Sequence, residues 1–80
     1  MKTLDYSEFP VNLGRLITEN GCSVKDIADK LLVSPQAVYK WMNGESIPQL
    51  DKIVNLSDIL NVSILDIIPV TELDKWDRSL

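Results

Sequence analysis

Apolar residues recur along most of the chain at the three- and four-residue spacing of an amphipathic helix. The clearest stripe consists of Val24, Ile27, Ala28 and Leu31, with charged residues on the opposite side. The pattern predicts helices over about residues 9–20, 24–31, 35–43, 49–60 and 64–68, and no convincing strand. We therefore expect a compact all-α fold with five helices.

Local start and stop signals support these boundaries. Ser23, with Asp26 three residues later, forms a variant of the capping box, and Ser34-Pro35 provides an N-cap and a first-turn proline. Gly44 ends the third helix, and Ser63 caps the fifth. Only residues 32–34 separate the second and third helices, and so short a connection predicts a helix-turn-helix.

Two expectations concern how the last two helices pack. The fourth helix is expected to bury its apolar residues, which are Leu50, Ile53, Val54, Leu56, Ile59 and Leu60. The fifth helix has more apolar surface than so short an element can bury alone, and this surface is formed by Ile64, Leu65, Ile67 and Ile68. These four residues form either a dimer surface, with Trp76 as an additional anchor, or the closing part of the monomer core.

Composition places the chain among small soluble domains. It has 80 residues, 45% of them hydrophobic, and a net charge of −4. The charge is unevenly distributed: residues 23–44 hold three lysines against two aspartates, whereas residues 45–70 hold four carboxylates against Lys52 alone. The least acidic part of the chain is therefore the predicted helix-turn-helix, and its cations are Lys25, Lys30 and Lys40, with Lys52 close behind in sequence.

Several function classes are disfavoured. The single cysteine, Cys22, cannot form an internal disulfide, and there is no histidine to serve as a base or metal ligand. There is no apolar run of membrane-spanning length, and residues 1–10 lack the apolar segment of a signal peptide. We expect a cytoplasmic protein that is not an enzyme, with no catalytic residues, metal site, cofactor or membrane association.

The third helix has two distinct faces. Ala37, Val38, Trp41 and Met42 form its apolar side, and the opposite side carries Gln36, Tyr39, Lys40 and Asn43. Taken alone, such a polar face is most often a solvated surface. In a helix-turn-helix, however, the second helix enters the DNA major groove, which is wide enough to admit it.

These features together resemble the Cro/C1-type helix-turn-helix family, the XRE family of phage and bacterial repressors. The resemblance runs from Leu13 to about Ile68 and rests on an ordered set of short matches: residues 16–21, Ser23, Ile27-Ala28, Leu31, Val33-Ser34, residues 36–38, Lys40-Trp41, Asn43-Gly44, Pro48 and residues 61–65. It implies a five-helix lambda-repressor-like domain at residues 9–69, between an N-terminal extension (1–8) and a C-terminal tail (70–80).

The resemblance also implies roles for individual residues. Gln36 would read a base, and Lys40 would reach a base edge or a phosphate. Tyr39, Asn43 and Ser34 would contact the DNA backbone or, for Tyr39, a thymine methyl group. The family often has a phosphate-binding glutamine at the position of Val24, so that Ser23 or Lys25 would have to replace it here.

Two further departures concern the fold. Leu32 occupies a turn position where the family often has glycine, and a left-handed leucine costs roughly 1 kcal/mol or more. Ile17 and Met42 replace an Arg–Glu ion pair, which predicts that the two side chains touch, because replacing both partners with apolar groups is tolerated.

The resemblance and the polar face predict a sequence-specific DNA-binding transcriptional regulator, in particular a repressor that binds a palindromic operator as a homodimer. The alternative is a protein-interaction module that has kept this fold, such as an antirepressor or antitoxin, with weak or no DNA binding. The acidic total charge and Val24 favour this alternative, whereas Gln36, Lys40 and the uninterrupted helix-turn-helix favour DNA.

Overall fold

The five predicted helices are all present in the computed structural model, which describes the backbone of residues 2–72 and the side chains of residues 5–70. They are α1 (Phe9–Glu19), α2 (Val24–Leu31), α3 (Pro35–Met42), α4 (Leu50–Leu60) and α5 (Ile64–Ile67). Each boundary lies within one residue of the predicted one. The all-α fold class is confirmed, and no helix in the described region is long and apolar enough to cross a bilayer.

A short two-stranded ribbon accompanies the helices and had no signal in the apolar pattern. Strand β1 (Lys2–Leu4) pairs antiparallel with β2 (Val70–Glu72). A single 3-10 turn, Tyr6–Glu8, then leads into α1. The amide of Asp5 also donates to the carbonyl of Pro69 at 2.7 Å. The segment before α1 is therefore joined to the segment after α5.

All five helices contribute to the core, but α4 contributes less than expected. Its buried residues Ile53, Leu56 and Leu60 form one stripe. Leu50 and Val54 were expected in the core, and this was wrong: they are 64% and 44% exposed. Leu50 and Val54 lie one helical turn apart, on a different side of α4 from the buried stripe. The helix therefore has more apolar residues than its core-facing side can bury.

Most apolar residues at the end of the domain, in α5 and just after it, belong to the monomer core. Ile67 and Ile68 are fully buried, and Ile64 is partly buried against the same core. Leu65 alone among the four apolar residues is exposed. Trp76 lies outside the described residues. The monomer core therefore uses most of the apolar surface that was considered for a dimer.

Two hydrogen bonds between elements fix the arrangement of the helices. The Lys52 ammonium of α4 donates to the carbonyl of Leu31, at the C-terminal end of α2, over 3.1 Å. The side-chain amide of Asn12 donates to the carbonyl of Ile67, also over 3.1 Å. The first bond attaches α4 to the turn between α2 and α3. Lys52 therefore has an internal partner, which holds its ammonium beside that turn.

The first four helices end in the same way, with a left-handed residue followed by a backbone bond that reaches back five residues. The left-handed residues are Gly21, Leu32, Gly44 and Asn61. The bonds run from Cys22 to Ile17, from Val33 to Ala28, from Glu45 to Lys40 and from Val62 to Ser57, at 2.9–3.3 Å. This is the Schellman motif, in which glycine or asparagine is the usual left-handed residue. Leu32 departs from that preference.

Leu32 therefore holds a strained conformation at the centre of the helix-turn-helix, with φ 60° and ψ 41°. Its side chain is 88% exposed, so that burial contributes little to offset the strain. We expect Leu32→Gly to raise the free energy of unfolding by about 0.5–1 kcal/mol, because relief of the left-handed strain exceeds the added chain entropy. Thermal unfolding followed by circular dichroism would show a midpoint higher by about 2–8 °C.

Leu32→Ala is the matched control, since it removes the exposed side chain but keeps a Cβ in the left-handed conformation. Its midpoint should stay close to that of the unmodified chain. Equal stabilisation by both substitutions would show that the exposed leucine side chain, and not the backbone conformation, is responsible.

Candidate nucleic-acid interface

The candidate interface is the outer surface of α2 and α3, and serine caps fix where both helices begin. The Ser23 hydroxyl accepts from the amide of Asp26 at 3.1 Å, and the Ser34 hydroxyl accepts from the amide of Ala37 at 3.2 Å. The Ser23 bond satisfies an amide that would otherwise lack a partner at a helix start, whereas the Ala37 amide also donates to the Ser34 carbonyl at 3.1 Å. Both serines remain exposed, as the predicted phosphate contacts require.

The inner side of α3 fixes the helix to the domain. Val38 and Trp41 are buried, and Ala37 and Met42 pack partly buried against the same cluster. The Met42 methyl group lies over α1 at Gly14, where an added Cβ would be 3.8 Å away. Ile17 belongs to this cluster, so the positions of the expected ion pair are apolar on both helices. Direct contact between Ile17 and Met42 remains a prediction.

The outer side of α3 holds the residues that were predicted to meet DNA. Gln36, Lys40 and Asn43 are exposed, and the Tyr39 ring is 53% exposed. All four side chains are therefore open to solvent over a substantial part of their surface. Their placement together on one outward face follows from the helix geometry, but their contact with DNA remains a prediction.

The outer side of α2 offers fewer polar groups. The Lys25 ammonium lies 3.7 Å from the Asp29 carboxylate, and both side chains are largely exposed. An exposed pair of this kind contributes at most about 1 kcal/mol, so that Lys25 can exchange this partner for a phosphate. Val24 is partly buried against the core and has no polar group to present.

Charge changes sign abruptly at the end of α3. There is no carboxylate from Lys30 to Gly44, and among the described side chains neither Lys30 nor Lys40 forms an ion pair. The next residue, Glu45, is exposed, and its amide donates to the carbonyl of Lys40 at 2.9 Å. A carboxylate thus lies directly beyond the predicted reading helix. Glu45 was not among the predicted site residues, although Gly44 signalled the end of the helix that places it there.

Comparison with known proteins agrees with this geometry. Residues 13–67 match the helix-turn-helix family model. A stretch of 38 residues is 47% identical to the 26 kDa repressor protein of Escherichia phage HK022, covering 48% of this chain and 16% of the phage protein. A crystal structure of a transcriptional regulator from Listeria innocua superposes with a TM-score of 0.74.

That superposition covers 89% of this chain and 66% of the Listeria protein, at 31% sequence identity. The chain thus spans about one sixth of the phage repressor and just under two thirds of the Listeria regulator. The match to the family model includes the two helices and the turn described above, since residues 13–67 extend over α2, α3 and α4 without interruption. The chain belongs to the helix-turn-helix family, in its Cro/C1 (XRE) type.

Proposed function

We propose that this chain is a sequence-specific DNA-binding transcriptional regulator, and in particular a repressor, with residues 9–69 as its binding domain. The observation that carries the proposal is the exposed face of α3, which holds Gln36 and Lys40 outward on the second helix of a family helix-turn-helix. The similarity to a phage repressor supports the direction of regulation. In this proposal the protein acts in the cytoplasm, without catalysis, metal or cofactor.

Each polar group on the face has a defined task. Gln36, in the first turn of α3, pairs through its amide with the N6 and N7 atoms of an adenine. Lys40, one turn later, reaches a guanine edge or a phosphate. Tyr39 and Asn43 border the groove. Ser34, Ser23 and Lys25 bind the phosphate backbone near the starts of α2 and α3.

A single domain has too little contact to select one site in a genome. It offers about two base-reading side chains, each worth roughly 1–3 kcal/mol of discrimination. Its few cations give weak non-specific binding. We therefore propose a homodimer on a palindromic operator, with half-sites about one helical turn apart.

The dimer surface in this proposal lies on α4 and α5. The exposed apolar residues Leu50, Val54 and Leu65 are on these helices, outside the helix-turn-helix. None of the three residues lies on α2 or α3, so that a contact through them does not use Gln36 or Lys40. The same contact would bury Leu50 and Val54, which the core leaves exposed.

A protein-interaction role is the second candidate, and it rests on the same apolar residues. Leu50 and Val54 would meet a different protein instead of a second copy, and the net charge of −4 with Val24 at the start of α2 would weaken DNA binding. The two candidates differ in one property, which is affinity for duplex DNA.

Selection of bound duplexes from a random pool tests the leading proposal. We expect enrichment of a palindromic or pseudo-palindromic site, with adenine at the base that Gln36 reads and matching half-sites one turn apart. The half-site spacing would also report the dimer. A pool without enrichment, together with no binding of random duplex by micromolar protein at low salt, would leave only the protein-interaction role.

A further inference from the structure

We infer that Glu45 limits the affinity of this domain for DNA by holding a negative charge against the phosphate backbone at the end of α3. The inference rests on the proposed function, because it assumes that α3 lies in the major groove. It assigns a role to a residue outside the predicted contact set.

The backbone fixes the position of Glu45. Gly44 adopts a left-handed conformation with φ 77°, and the Glu45 amide closes the Schellman motif on the carbonyl of Lys40. Glu45 is therefore held against the last turn of α3 and cannot move away from that helix without breaking its cap. Its side chain is exposed and forms no ion pair within the described region.

The dimensions of the groove bring this position close to phosphate. The major groove is about 12 Å wide, which matches the diameter of a helix with its side chains, and the recognition helix of a helix-turn-helix holds its N-terminal residues against base edges. The eight residues of α3 extend over about 12 Å at 1.5 Å per residue, so that the end of the helix lies away from those bases and nearer the phosphates that border the groove. The Glu45 carboxylate then faces phosphates, beside the negative end of the α3 dipole.

Helix α3 itself has little positive charge to offset this repulsion. Lys40 is the only cation within α3, and the helix has no acid of its own. Glu45 thus opposes the single lysine of the helix that reads the bases. Affinity for any duplex falls as a result, and binding depends more heavily on base contacts such as that of Gln36.

Titration of a short fluorescein-labelled duplex of random sequence, at several salt concentrations, tests the inference with the full chain. Glu45→Gln should bind about threefold more tightly at low salt, the effect expected for two unit charges about 6 Å apart in water. Glu45→Lys should bind more tightly still and steepen the salt dependence by about 0.9 per added phosphate contact.

Asp58→Asn is the matched control, since it removes one exposed carboxylate and changes the net charge by the same amount. Because Asp58 lies one turn after Val54, on the side of α4 proposed as the dimer surface, sedimentation velocity would establish that every variant has the same oligomeric state. Asp58 lies six residues after Lys52 on α4, about 9 Å along the helix from the bond to Leu31. Its effect on DNA affinity should be smaller than that of Glu45→Gln. Circular dichroism melts of all variants would establish that each one is folded.

Two outcomes would overturn the inference, and they are distinguishable. If the unmodified chain binds the duplex and Glu45→Gln and Asp58→Asn change affinity equally, Glu45 has no special position and only this inference fails. If neither the unmodified chain nor any variant binds at low salt, the inference fails, and the proposed function fails as well when the selection also yields no enriched site.

Discussion

Replacing Trp41 with alanine is expected to lower the free energy of unfolding by about 3–5 kcal/mol. Trp41 is 6% exposed and belongs to the core cluster that joins α3 to the rest of the domain. An 80-residue domain has a total stability of roughly 4–12 kcal/mol, so that the substitution removes a large part of it. The thermal midpoint, measured by far-ultraviolet circular dichroism, should fall by about 15–30 °C.

Tyr39→Ala provides the comparison on the same helix. Tyr39 is two residues away, but its ring is 53% exposed on the outer side of α3. Its replacement should change the midpoint by no more than a few degrees, because an exposed side chain contributes little to the core and alanine is the better helix former. Equal losses from the two substitutions would mean that the inner and outer sides of α3 are assigned wrongly.

Much of this fold could be predicted because its local signals agree with one another. For α2, the serine cap, the apolar stripe and the short turn specify the same segment, and the helix has the predicted bounds Val24–Leu31. In α5 the capping box of Ser63 and Asp66 is formed in both directions. Such signals need no knowledge of distant residues, which is why the boundaries were accessible from sequence.

The remaining features depend on contacts between distant parts of the chain. Helix α4 has apolar residues on more than one side, and periodicity alone could not show that Ile53 would face the core while Leu50 and Val54 would face solvent. The ribbon pairs residues near 3 with residues near 71, through three-residue strands that are too short to leave a pattern. The conformation of Leu32 was anticipated only by comparison with a family position that often holds glycine.

The candidate site, like the fold, was predictable from the sequence only in part. Helical spacing was enough to place Gln36, Lys40, Tyr39 and Asn43 on one face, and that face is exposed in the structure. The partner of Lys52 was not accessible, because it is set by packing between helices. Lys52 donates to the carbonyl of Leu31 on a different helix, and only the assembled domain shows that this cation is engaged.

The largest functional effect is expected from Gln36→Ala at the operator obtained by selection. Each bidentate contact contributes roughly 1–3 kcal/mol of base discrimination, and a homodimer loses two of them. Affinity for the selected site should fall by about 30-fold to 10⁴-fold, which corresponds to about 2–6 kcal/mol. Affinity for random duplex should be unchanged, because the substitution removes no charge. Fluorescence anisotropy with both duplexes would measure the two affinities.

Lys40→Ala on the same helix distinguishes base reading from general attraction. Removal of the Lys40 charge should weaken binding to both duplexes and make the salt dependence shallower, whereas Gln36→Ala should leave that dependence unchanged. Both side chains are exposed, so neither substitution should destabilise the fold. If Gln36→Ala weakens selected and random duplexes equally, Gln36 contacts the backbone and does not read a base. If it weakens neither, the outer face of α3 is solvated surface at this position, and another residue must carry the sequence preference.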